Sequence, residues 1–195
     1  MGAAAALGLL AAGASPAEAA SRLPPFACTA PFTAAASHES LGRAFGGALT
    51  FRREPGPEGT HEMATVLFPR DRSRRAVVEW SDLARRRRPA AVRVGEGSRW
   101  RTPQGVSVGD SLSRVEAING RPFNLAGFGW DYGGTVLDFD GGTLASTGCR
   151  LILRFSAHPD RPTAPELDGD RELKSDDPLV RAADPVVYEM ILQWD

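Results

Sequence analysis

Thr102–Leu144 reads TPQGVSVGDSLSRVEAINGRPFNLAGFGWDYGGTVLDFDGGTL. It divides into a short helix, a stop and a run of tight β-structure. Asp110 or Ser111 can cap the helix, because a short side-chain oxygen satisfies a first-turn N–H that lacks a partner. Leu112, Val115 and Ile118 recur at helical spacing and fall within one apolar arc. Asn119-Gly120 supplies the left-handed residue that ends a helix, and Pro122 blocks its continuation. About two turns of helix cannot hold alone, so the segment must dock on something. The run after Pro122 suits that role: Phe123, Leu125, Phe128, Trp130, Tyr132, Val136, Leu137 and Phe139 are strand formers interrupted by glycines. Gly133-Gly134 and Asp140-Gly141-Gly142 mark hairpin turns, where positive φ is needed. Helix, stop and meander together predict an α+β fold of short helices packed on antiparallel sheet.

Similar signals lie on either side. Ser37–Phe45 reads as a second short helix stopped by Gly46-Gly47, with strands predicted at Ala48–Arg53, Met63–Phe68 and Ala76–Trp80. Ser40-Leu41-Gly42-Arg43 echoes Ser111-Leu112-Ser113-Arg114, and each is followed by a glycine stop and then strands. The echo suggests two helix-plus-meander modules, 20–95 and 96–195, or one continuous domain. Cys149–Phe155 and Val186–Trp194 read as further strands. In the latter, Val186, Tyr188, Met190, Leu192 and Trp194 are expected on one face, by the period of two. Residues 158–185, rich in Pro, Asp and Gly, read as a long solvated loop.

GVSVGDSLSRVEAINGRPF resembles the opening of modules of the β-lactamase-inhibitor-protein type and of small outer-membrane assembly lipoproteins of the SmpA/OmlA kind. The fuller string, with NGRPF and GFGWDYGG, resembles a group of exported bacterial proteins and covers about a fifth of the chain. These resemblances bring no known activity and no catalytic residues.

Met1–Ala20, MGAAAALGLLAAGASPAEAA, joins an apolar run to a small-x-small site at Ala17-Glu18-Ala19. It therefore reads as a signal peptide over residues 1–19, with export to the periplasm or the exterior. The run is too short to span a bilayer, and no other segment is a transmembrane candidate. An oxidising compartment allows Cys28 and Cys149 to form a structural disulfide, two buried thiols being the other reading. Charge is divided along the chain. Residues 41–101 hold 14 Arg against 7 acids, and residues 102–195 hold 8 Lys and Arg against 15 acids. Either the halves attract one another, or Arg85, Arg86, Arg87 and Arg88 form a basic patch for an anionic partner. For an exported chain that partner is an anionic glycan or lipid headgroup and not nucleic acid.

No catalytic motif is present. His38, His61 and His158 lie far apart without metal-ligand spacing, and no GxSxG elbow occurs. Neither a metal nor a cofactor is expected. Asp138 and Asp140 bracket a turn without the twelve-residue calcium pattern, and read as solvent-facing acids. Phe128, Trp130, Asp131 and Tyr132 leave two readings open. They form a stacking platform for sugar or peptide, or the three rings share a strand face and fill the core while Asp131 faces solvent. A Trp130 ring facing solvent would favour binding. The expectation is a non-enzymatic binding or assembly module that meets an envelope protein or anionic glycan through a sheet face. The alternative is an envelope hydrolase with a site assembled from loops.

Overall fold

A computed structural model describes residues 23–56, 59–145, 148–161 and 164–194. The expected signal peptide lies outside the described residues. The fold is α+β. Strands β1 (Leu49–Pro55), β2 (His61–Leu67), β3 (Ala76–Asp82), β4 (Arg87–Val94), β7 (Arg150–Ser156) and β9 (Val186–Gln193) build one sheet in the order β1-β2-β3-β4-β9-β7. Every adjacent pair in it is antiparallel. Strands β5 (Asn124–Ala126), β6 (Val136–Asp138) and β8 (Glu172–Lys174) form a second sheet, ordered β6-β5-β8. Helices α1 (His38–Ala44), α2 (Leu112–Asn119) and α3 (Pro178–Ala183) are all short. Because β4 pairs with β9, the large sheet runs unbroken across residue 95.

The local readings of the two helices hold. Ser111 is the cap of α2 and accepts from the Arg114 N–H, while Gly120 closes the helix at φ 78. Leu112 and Val115 are buried; Asn119, rather than Ile118, completes the inward face. Ser37 caps α1 and Ser40 bonds back to the Ser37 N–H, a reciprocal box that satisfies two first-turn groups at once.

One face of the large sheet carries Val78, Val92, Leu192 and Leu151 in register, all buried. The N-terminal lead reaches into this core: Phe26 and Phe32 are buried against Trp100, whose indole N–H donates to the Arg74 carbonyl. The opposite face carries paired charges: Glu79 with Arg93, Glu189 with Arg154, and Glu54 with both Arg52 and Arg75. The Glu54–Arg75 pair implies that the β1–β2 hairpin curls. Arg75 stands next to the Leu67 end of the β2–β3 ladder, and Glu54 lies opposite Glu62. Five residues of strand, roughly 17 Å, exceed an arginine's reach unless the hairpin tip bends over the sheet.

Two expectations need correction, and one strand was not read from the sequence. Residues 158–185 are not one solvated loop: β8, α3 and a 3-10 turn at Pro165–Leu167 lie within them, and Leu167, Leu173 and Val180 are buried. Their Pro and Asp residues serve as starts and caps, Asp177 and Pro178 opening α3. Strand β4 was hidden by its arginines, because an exposed Arg87-Arg88 pair does not look like strand. In β9 the simple alternation fails. The pairs Arg154↔Glu189 and Phe155↔Val187 leave Tyr188 as an extra residue, so the bulge puts Val187 in the core instead of Val186.

Candidate functional site

The aromatic stretch is not a continuous strand. After β5 the chain forms a loop, and only Phe128 of the three rings packs in the core. Trp130 is 40% exposed and Tyr132 47% exposed, and Asp131 is also exposed. The expected shared strand face is lost because Gly129, Gly134 and the turn at 131–134 break the period of two.

The loop is nonetheless firmly positioned. Phe128 N–H donates to the Leu167 carbonyl and Gly169 N–H to the Phe128 carbonyl, tying the loop to the segment before β8. Phe155 N–H donates to the Gly134 carbonyl, fixing the other end on β7. A Cβ at Gly134 would lie 2.0 Å from the Phe155 carbonyl oxygen, so only glycine permits this approach. The Trp130 indole N–H donates to the Gly127 carbonyl at 2.9 Å, which fixes the ring while leaving it in solvent. Trp130 and Tyr132 stand edge to face, 5.6 Å apart at 67°. Arg154 lies over the Tyr132 ring at 5.6 Å and donates to the Asp131 carbonyl and to Thr135 Oγ1.

Beside the loop runs a groove of ≈ 550 Å³, lined among others by Phe128, Trp130, Asp131, Ser156, Asp168 and Tyr188. Sequence reasoning missed Asp168 and Tyr188. Asp168 arrives from the segment read as solvated loop, and Tyr188 is brought to the groove by the β9 bulge. Burial raises the Tyr188 phenol above its ordinary value, with Arg154 opposing the rise.

Arg85, Arg86, Arg87 and Arg88 are all exposed at the β3–β4 hairpin, about the apolar tip residue Leu83. Arg85 pairs with Asp82, and Arg86 lies over the Phe51 ring at 5.2 Å. Arg86 and Arg88 both take positive φ, and the Arg88 N–H is held by the Ala36 carbonyl. Cys28 and Cys149 are bonded, Cα atoms 5.6 Å apart, and tie the N-terminal lead to the start of β7. The histidines stay apart in role. His38 Nδ1 meets Thr65 Oγ1, which also accepts from the Trp80 indole, and His61 is exposed at the start of β2. Among the described residues no three His, Cys, Asp or Glu side chains gather as metal ligands.

No known protein-family model, curated protein or solved structure matches this chain.

Proposed function

We propose that the chain is a non-enzymatic binding module of an exported protein, and that it meets its partner through the Phe128–Tyr132 loop at the β7 edge of the sheet. The observation that carries this reading is the exposure of Trp130 and Tyr132 on a loop pinned at both ends. Large rings held in solvent on a fixed backbone lose little freedom on binding and bring much apolar area. The open sheet face is a poorer contact surface, since its arginines and glutamates already pair with one another. A hydrolase would need a nucleophile and a base within hydrogen-bond reach. The groove's hydroxyls, Ser156 and Tyr188, have no histidine among the residues that line it. The disulfide fits an oxidising compartment. An envelope protein suits the aromatic edge better than an anionic glycan does, because Asp131 and Asp168 would repel polyanions; the arginine hairpin is where a polyanion would fit.

The test is site-directed photo-crosslinking in a cell-envelope extract, with the crosslinker replacing Tyr132 or, as a control, exposed Leu179. A discrete adduct from position 132, absent from position 179 and lost on Trp130→Ala, is the expected outcome. Equal labelling from both positions removes the site.

A further inference from the structure

The electrostatics of the groove narrow the chemistry of its occupant. Asp131 and Asp168 line it together, and neither carboxylate has a hydrogen bond or ion pair among the described residues. Two cations touch this loop: Arg154 pairs with Glu189 at 3.3 Å and donates to Thr135 and to the Asp131 carbonyl, and Arg171, packed against Gly127, donates to the Glu166 carbonyl. The Arg154 charge is therefore balanced by Glu189, and its guanidinium bonds to neither of the two carboxylates. The stretch that carries Asp168 is itself acidic, residues 157–177 holding seven acids against three basic residues. Two carboxylates without a bonded partner thus stand beside an exposed indole whose faces are themselves electron-rich.

We infer that the groove receives an organic cation, an alkylammonium head whose substituents lie on the Trp130 ring while its charge is met by Asp131 and Asp168. The inference rests on the binding reading proposed for this loop. An ammonium over an indole face is attracted by the ring quadrupole, and the carboxylates add Coulombic attraction with the same sign. An anion would meet both charges unfavourably. A neutral sugar could stack on the ring but would leave the charge of both carboxylates unused. The same ammonium chemistry can come from a small quaternary amine or from a lysine side chain of a polypeptide.

Calorimetric titration of the purified chain, with indole emission as a second readout, tests this. The probes are tetramethylammonium, N-acetyl-lysine methylamide, neutral neopentyl alcohol and a neutral disaccharide. Saturable binding of at least one cation is expected, weakened by salt and about tenfold tighter than that of neopentyl alcohol. Trp130→Ala and Asp168→Asn should each lose about tenfold in affinity at an unchanged melting temperature. Tighter binding of tetramethylammonium assigns a quaternary head, and tighter binding of the lysine amide assigns a polypeptide side chain. The inference is overturned if neither cation saturates, if a neutral probe binds as well, or if both variants bind like the parent. A Trp130-dependent crosslink without cation binding would refute this ligand class and leave the binding site standing. Loss of both results would remove the site itself.

Discussion

Asn119 shows how much of this molecule depends on single buried polar groups. Its amide donates to the carbonyls of Arg121 and Phe139, and its Oδ1 accepts from the Leu144 N–H. The side chain thereby ties the end of α2 to the turn after β6, and Gly142 has no room for a Cβ because Asn119 Oδ1 would lie 2.1 Å away. Asn119→Ala leaves the Arg121 carbonyl and the Leu144 N–H without this partner, while the Phe139 carbonyl keeps the Gly142 N–H, so about 1–3 kcal/mol should be lost. Asp131→Asn removes an exposed carboxylate without a partner and should leave the denaturant midpoint almost unchanged. A loss from Asp131→Asn as large as that from Asn119→Ala would make Asp131 a structural residue. His38 supplies a pH dependence. Burial, with Arg86 adding to it, lowers its imidazole below the usual 6.5. The unfolded chain then binds the proton first, so stability is complete above 6.5 and is lost as pH falls below it, until the folded protein also protonates. The Glu54 carboxylate, which burial raises but Arg52 and Arg75 pull down further, titrates in a separate and more acidic window. Midpoints measured between neutral and mildly acid pH should therefore fall in the parent and stay flatter in His38→Gln. Equal slopes would dismiss His38 as the source.

Among the elements, the loop between β5 and β6 depends most on its attachment. Its closest approach to the β7 edge is at Gly134, which accepts from Phe155 N–H with φ at 68. Gly134→Ala adds both a clash with the Phe155 carbonyl and about 1–2 kcal/mol of left-handed strain. The expected outcome is a lower denaturant midpoint together with faster amide exchange at residues 127–135. Gly120→Ala is the control: φ is 78 there but no atom lies within 4 Å of the added Cβ, so only the strain remains. If the two variants behave alike, the close approach at Gly134 does not decide the loop's position. The β9 bulge is the other decisive element, because it turns Val187 inward while Tyr188 lines the groove.

At the scale of the whole molecule, the divided charge does not join the two halves by ion pairing. Among the described residues no ion pair joins a residue before 102 to one after 101, and at the 95/96 boundary only the exposed Arg72–Glu96 pair crosses. The halves meet through the β4–β9 ladder and the buried rows beneath it. They are also joined by the Cys28–Cys149 bond, which spans 121 residues. Closing a loop of that length contributes on the order of 4–5 kcal/mol in the chain-entropy model. Native protein should resist alkylation until it is unfolded and reduced, and reduction should lower the melting temperature by several degrees or more. Two thiols reactive in denaturant alone would exclude the bond.

The chain's local chemistry determined its local structure. Ser37, Ser111 and Gly120 bound the helices wherever they are placed, since caps and left-handed stops act within one turn. Alternation and turn residues were enough for β1–β3 and β7, and an α+β class follows from them. Only tertiary structure decided the rest. Strand β4 is a strand because β3 and β9 supply its hydrogen bonds, and no local preference of Arg87 or Arg88 signals it. Leu167, Leu173 and Val180 are buried because distant segments cover them, a fact that Pro- and Asp-rich composition conceals. The candidate site obeys the same division. Phe128, Trp130, Asp131 and Tyr132 were legible as a group, but which rings face solvent depended on the glycine contacts with β7. Asp168 and Tyr188 join them only because a parallel bridge and a bulge bring remote residues to one groove.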